Sequence, residues 1–445
     1  LYNRNYGESR EPQYPAIILE MLSHQNWQDM RMGHDPYFKF TMGRAIYKGI
    51  LRYLAAVHKC DAVVQPLPVH SVSSMLDVRK KKARLTWQPT IDVLEETARP
   101  TKYIIYISQG ERGYDNGLAV DAKSTAVDID LEPGIMYRFR ITAVNSGGES
   151  FPSEEVCCYL ASEDAPHILL VDGFQRVAGP KAFNTENCSG FDMNEEPGVV
   201  DRKSPEYCGY QLYFGKDGLG KENATGHGYS GSELEGMILA GNTHDWSCVH
   251  AQEILKCGQY NLSSCVASAC PTVNIQHIDI ADIIFGAQMM DGYSMKPYKT
   301  FTPEVRSLME QLTQNGKGVM VSGAHIGTDM PLPEEQQFLK QTLKWTSNNS
   351  VHAAAGMNIQ GMNTTAALYT EPNEQHYWVR RMDVLKPSAP AFTTMLYGDG
   401  EQSCAVAYKG NDYKAISYGF PLECIVSPEA RSAIFAASIQ FLLEK

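Results

Sequence analysis

No stretch of this 445-residue chain approaches the ~20 consecutive apolar residues of a membrane-spanning helix, which excludes a helical membrane span. No basic stripe offsets the acidic balance either. The net charge is −12 and the pI about 5.5, so a nucleic-acid partner is excluded as an expectation. The one basic cluster, Arg79 to Lys82, runs straight into a strand pattern and reads as a solvated edge. No secretory leader is recognisable, and the chain opens on Leu1. That start suggests a processed or truncated chain, so the missing leader says nothing about export. No cysteine spacing matches a standard zinc motif. The eleven cysteines are an odd count, and six of them (Cys188, Cys208, Cys248, Cys257, Cys265, Cys270) crowd one region. Such crowding suits disulfides in an oxidising compartment, and disulfides are one expectation there.

What is present divides into three segments: 1–58, 59–163 and 164–445. The length fits two to four domains. The first segment opens on PAIILE at 15–20, an apolar run behind a proline that predicts a buried strand ending in Glu20. Asp35-Pro36 then supplies a helix start, and Phe38, Met42, Ala45, Ile46, Ile50 and Tyr53 recur at helical spacing. A strand, a loop and a closing helix cannot make a core alone. The segment therefore reads as the end of an α/β domain, with a sheet edge and an apolar surface left open.

The second segment alternates in short runs, 83–87, 103–106 and 137–144, separated by turn signals such as Asn116-Gly117 and Pro133-Gly134. That rhythm predicts a β-sandwich. The stretches LTWQP at 85–89 and LEPGIMYRFRITAVNSGGESFPS at 131–153 resemble a fibronectin type III domain over nearly its whole length. The resemblance makes Trp87 the core tryptophan and Tyr137 the corner tyrosine that bonds back to the chain. It implies a spacing or presenting role and assigns no chemistry.

The third segment strings together buried strands (167–172, 280–286, 318–323) with a helix near 302–314. Strand, helix, strand in this order predicts a doubly wound parallel sheet with helices on both faces. The polar stretch 174–236 reads as an insertion over the carboxyl ends of the strands, where ligands bind in such sheets.

Two further resemblances bear on chemistry. The stretch PAIILEMLSHQN with DPYFKFTMGRAIYKGILRYL at 35–54 resembles the carboxyl-terminal end of zinc-dependent N-acetylmuramoyl-L-alanine amidases. It looks closest to the branch in multidomain envelope proteins of Bacteroides-type bacteria that carry a xanthan lyase label. The resemblance makes Glu20 the catalytic carboxylate and Asn26 its support. It implies a zinc cofactor whose ligands lie outside this chain, in an upstream amidase half that would be a partner. It also implies peptidoglycan or another glycan as substrate, and export to the periplasm, outer membrane or exterior. A carboxylate beside a metal-activated water can take its proton. His24 and His34 lie nearby in sequence but match no ligand position, and read as structural or surface residues.

Gly323-Ala324-His325-Ile326-Gly327 has the outline of a nucleophile elbow, and with YGFPLE at 418–423 it resembles the class I glutamine amidotransferase-like fold. His325 stands where that family has its cysteine and Pro421 where it has its histidine; only Glu423 matches. Without a thiolate and its base no thioester forms, so glutaminase activity is not expected. Asp172, Ser322, His325 and Glu423 remain as candidates for a polar ligand site.

The alternatives are a non-catalytic glycan-binding or scaffold protein, or a polysaccharide (xanthan) lyase. A lyase would need a tyrosine or histidine base beside a group neutralising a uronate. Two patterns are set aside. Residues 215–221 spell G-x-x-x-x-G-K, but Glu222 replaces the magnesium-holding hydroxyl of a P-loop. His244, Asp245, Cys248 and His250 have no zinc spacing.

Overall fold

The computed structural model describes residues 6–205, 211–218, 228–292, 294–347, 349–398 and 400–444. Positions 219–227, with Lys221 and Glu222 of the P-loop-like pattern, lie outside the described residues, as does Cys208.

The expected strand at 15–19 does not form. Residues 12–23 are irregular, and Ile17, Ile18 and Leu19 stand exposed, because no strand among the described residues pairs with them. Two helices follow, α1 (Trp27–Gly33) and α2 (Pro36–His58). Asp35 caps α2 by accepting from the Tyr37 N–H at 2.9 Å, ahead of a proline in the first turn, as the sequence predicts. The other Asp35 oxygen accepts from the Met295 N–H at 2.7 Å. Arg44 and Lys48 both reach Asp92. One side of α2 is thereby pinned to the two later segments. Its outer side leaves Ile50, Tyr53, Leu54 and Val57 exposed at i, i+3, i+4 and i+7.

The sandwich comprises β1 (His70–Asp77), β2 (Lys82–Gln88), β3 (Lys102–Gln109), β4 (Leu118–Asp121), β5 (Ala126–Asp130), β6 (Met136–Asn145) and β7 (Val156–Tyr159). One sheet pairs β1 with β2 and β2 with β5; the other runs β4, β3, β6, β7, all antiparallel. Trp87 is fully buried edge-on to Tyr103, with ring centroids 5.3 Å apart. The Glu132 N–H donates to the Tyr137 hydroxyl at 3.1 Å, closing the expected corner.

Beyond the sandwich lie β8 (His167–Asp172), α3 (Trp246–Cys257), β9 (Asn261–Val266), β10 (Ile280–Ile284), α4 (Pro303–Gln314) and β11 (Gly318–Ser322). The chain ends with β12 (Phe392–Tyr397), β13 (Gln402–Lys409), β14 (Lys414–Tyr418) and α5 (Pro428–Leu443). Five strands are parallel in the order β9, β8, β10, β11, β14; β13 and β12 extend that sheet antiparallel. Alternate residues fall into two cores. Ile168, Leu170 and Met320 pack with Ile254 of α3 and Ile439 of α5, whereas Leu169, Val171 and Val321 pack with Leu308 and Leu312 of α4. Both faces are covered, which is why these strands read as unbroken apolar runs.

The sandwich and the parallel sheet share an edge. Strand β9 pairs antiparallel with β1 (Ser73 opposite Cys265) and with β7 (Tyr159 opposite Leu262). An open parallel edge is thus covered by its neighbour. The sequence LSSCV looks too polar for a buried strand, yet Ser263 and Ser264 are wholly buried there. Ser263 Oγ accepts from the Leu76 N–H at 2.9 Å, so its hydroxyl serves backbone of the sandwich.

The disulfides expected in 188–270 do not form among the described residues: Cys188, Cys248, Cys257, Cys265 and Cys270 are free thiols. Cys248, Cys265 and Cys270 sit in the two cores as small apolar side chains.

Candidate functional site

The carboxyl ends of the parallel strands place Asp172, Ile284, Ser322 and Tyr418 in one register row. Register partners in a parallel sheet point to the same side, here the face covered by α3 and α5. Asp172 Oδ1 accepts from the Phe174 N–H at 3.0 Å, but its Oδ2 and the Ser322 hydroxyl are buried without a hydrogen-bond partner. Burial pushes the Asp172 carboxyl up to about 7, only partly offset by the Phe174 N–H.

His325 does not occupy a strained elbow. Its φ is not positive, and residues 324–329 form turns rather than a helix, the next helix being Pro333–Phe338. It lies 3.4 Å from Glu196, which the 174–236 segment carries over the strand ends. Glu196 in turn binds Arg176 at 2.9 Å, and all three side chains are buried. Burial opposes ionisation of Glu196, but the Arg176 guanidinium and His325 outweigh it and hold the carboxyl at about 2. On the other side Asp383 accepts from the Gly327 and Thr328 N–H groups. Burial raises Asp383 to about 6 against the pull of His325 and those amides.

Glu423 belongs to a different constellation. Its Oε2 lies 3.2 Å from His250 Nε2, and its Oε1 accepts from the Tyr377 hydroxyl at 2.7 Å. His250 Nδ1 lies 2.7 Å from Asp282 Oδ2. All four side chains are sealed in the core. Burial alone would push His250 down, but Asp282 and Glu423 hold it at about 10, as a protonated bridge between two carboxylates. The metal-like pattern 244–250 is dispersed by the fold, since His244 turns instead to Asp201 at 2.8 Å. The four sequence candidates therefore occupy three settings: the Asp172–Ser322 row, the His325–Glu196 cluster and the His250–Glu423 bridge. Sequence reasoning missed Glu196, Asp383 and Asp282, which stand far along the chain from the residues they meet. Their only signal was an acidic residue inside or beside an apolar run.

Glu20 is exposed on the irregular stretch and makes no hydrogen bond or ion pair among the described residues. Asn26 has a local role: it is the N-cap of α1, and its side chain accepts from the Gln28 N–H at 2.9 Å and the Asp29 N–H at 3.4 Å. Among the described residues no group of three or more His, Cys, Asp and Glu side chains is placed to hold a metal ion. His34 packs edge-on against Phe191, and burial pushes its pKa down to about 4. The residues around Glu20 thus do not fit a zinc site by themselves.

Comparison with known proteins identifies residues 67–158 as a fibronectin type III domain. The neuronal cell adhesion molecule of Mus musculus is 27% identical over 167 residues, which cover 35% of this chain and 12% of that protein. The chain therefore spans about an eighth of that relative's length. Among solved structures, one titled "Myokine structure" is 18% identical and covers 22% of this chain and 99% of its own, with a TM-score of 0.19. The solution structure of a fourth FNIII domain of human origin is 23% identical over 23% of this chain and 84% of that one, with a TM-score of 0.20.

Proposed function

We propose that this chain, with its fibronectin type III domain at 67–158, is the glycan-facing binding and presenting part of an exported cell-envelope protein. The observation that carries the reading is the shared edge of β1, β7 and β9, which builds the sandwich into the parallel sheet rather than tethering it. Such a junction holds a doubly wound, amidotransferase-like domain in one pose. The buried charged groups support the same reading, because His250, Asp282, Glu423 and Tyr377 spend their hydrogen bonds on one another. Export rests on the envelope substrate and on the occurrence of fibronectin type III domains in extracellular proteins. No helix among the described residues is long and apolar enough to cross a membrane. Co-sedimentation with purified peptidoglycan sacculi tests the reading: the chain pellets with them and releases no soluble muropeptide. A chain that stays in the supernatant removes it.

A second reading is favoured by one feature of the first segment. Glu20 stands exposed on a stretch with Ile17, Ile18, Leu19 and Met21, and α2 turns a further apolar stripe outward. In this reading an upstream amidase half bearing the zinc ligands docks there, and Glu20 supplies the carboxylate of an N-acetylmuramoyl-L-alanine amidase. One zinc per chain by elemental mass spectrometry, with muropeptide release lost in Glu20→Gln, would establish it. No observation favours the polysaccharide-lyase alternative.

A further inference from the structure

A groove of about 920 Å³ lies where the sandwich meets α3. Its walls are the 109–112 turn after β3, the 132–136 turn before β6, Tyr159 at the end of β7, and Gln252, Leu255 and Lys256 of α3. The three helix residues share one face at i, i+3 and i+4. The turns are held from behind. The Gly110 N–H donates to the Met136 carbonyl at 2.8 Å, and the Gly134 N–H donates to the Leu160 carbonyl at 2.8 Å. The Arg112 carbonyl accepts from the Ser108 hydroxyl at 2.6 Å.

We infer that this groove is a binding site for a neutral, hydroxyl-rich ligand, an oligosaccharide. The inference rests on the glycan-binding reading above and places the ligand at the junction of the two domains, a preferred location for ligand sites. Its volume falls in the range of such sites, roughly 300–1,000 Å³. The polar side chains facing the groove are unspent: Gln109, Glu111, Arg112, Glu132 and Gln252 make no side-chain hydrogen bond or ion pair among the described residues. Amides offer donors and acceptors together, and carboxylates accept two hydroxyls at once, which is the complement of a sugar edge. Tyr159, Ile135, Met136 and Leu255 add apolar surface for the C–H face of a pyranose ring. Charge selects against ionic polymers. Glu111 and Glu132 balance Arg112 and Lys256, and Lys256 is already paired with Glu253 at 3.0 Å. A polyanion would meet two carboxylates on a chain of net charge −12.

The test is isothermal titration of the full chain with chitotetraose and maltohexaose as neutral probes and an oligogalacturonate as the anionic control. The expected result is saturable binding of at least one neutral probe, weakened tenfold or more in the double variant Gln252→Ala/Glu132→Gln. Both residues are exposed, so the melting temperature stays unchanged, and Arg112→Ala provides an independent second variant. Binding of a neutral probe that neither variant weakens overturns the inference, as does preference for the oligogalacturonate or binding of no probe at all. Co-sedimentation with sacculi reads glycan binding anywhere on the chain. A chain that pellets with sacculi while the groove variants bind like wild type would defeat this site and leave the broader reading standing.

Discussion

Ser264 of β9 and Cys157 of β7 are bound reciprocally across the domain boundary. The Cys157 N–H donates to Ser264 Oγ at 2.7 Å, and the Ser264 hydroxyl donates to the Cys157 carbonyl at 2.8 Å. One buried side chain completes both backbone groups of Cys157, two residues before the Tyr159–Leu262 pairing of β7 with β9. Ser264→Ala leaves two buried backbone groups unpaired, at about 1–3 kcal/mol each. Chemical denaturation should show the loss in stability. Hydrogen exchange should show faster opening of 156–159 and 261–266 together with the rest of the cooperative unit.

The His250 bridge predicts a pH dependence with a definite sign. Its pKa is raised from 6.5 to about 10 in the folded chain, so the stability it contributes is complete below 6.5 and is lost as pH rises toward 10. Denaturation midpoints measured from pH 6 to 10 should fall across that window. His250→Leu should flatten this component and cost roughly 3–5 kcal/mol at neutral pH, because Asp282 and Glu423 are then buried without their cation.

Asp172 predicts a dependence in a lower window. Its carboxyl is raised from 3.8 to about 7, so the folded chain keeps a proton that the unfolded chain releases, and stability falls as pH climbs from about 4 to 7. Asp172→Asn should remove this fall and gain roughly 4 kcal/mol above pH 7, at about 1.4 kcal/mol per unit. Urea denaturation of both proteins at pH 5 and pH 8 checks it. An equal difference at the two pH values would contradict it.

The Tyr137 corner is a local matter. Tyr137→Phe should cost about 1 kcal/mol, the net worth of the bond from the Glu132 N–H, with no change in the wavelength of the buried Trp87 emission. Glu20→Gln, by contrast, should leave stability unchanged, since Glu20 is exposed and makes no hydrogen bond or ion pair among the described residues.

The sandwich is legible in the sequence because alternating strands, a buried tryptophan and a corner tyrosine are encoded within about 90 residues of one another. The helix at 36–58 is legible from Asp35-Pro36 and its apolar spacing. The run at 15–19 misleads because apolar residues specify a strand only when a neighbour pairs with them. Strand β9 is hidden because Ser263 and Ser264 look like surface residues until the sandwich backbone they serve is in place. The site suffers most from distance. Glu196 meets His325, and Glu423 meets His250, across gaps of more than 100 residues, and pairings at that range leave no periodicity to read.

Native-state hydrogen exchange of the full chain tests most directly whether the sandwich and the parallel sheet are one unit. Amides of β1, β7 and β9 should open together, with the same free energy as the central strands β8 and β10. Opening of residues 67–158 at markedly lower free energy, while β9 stays protected, would show a tethered spacer instead and contradict the account.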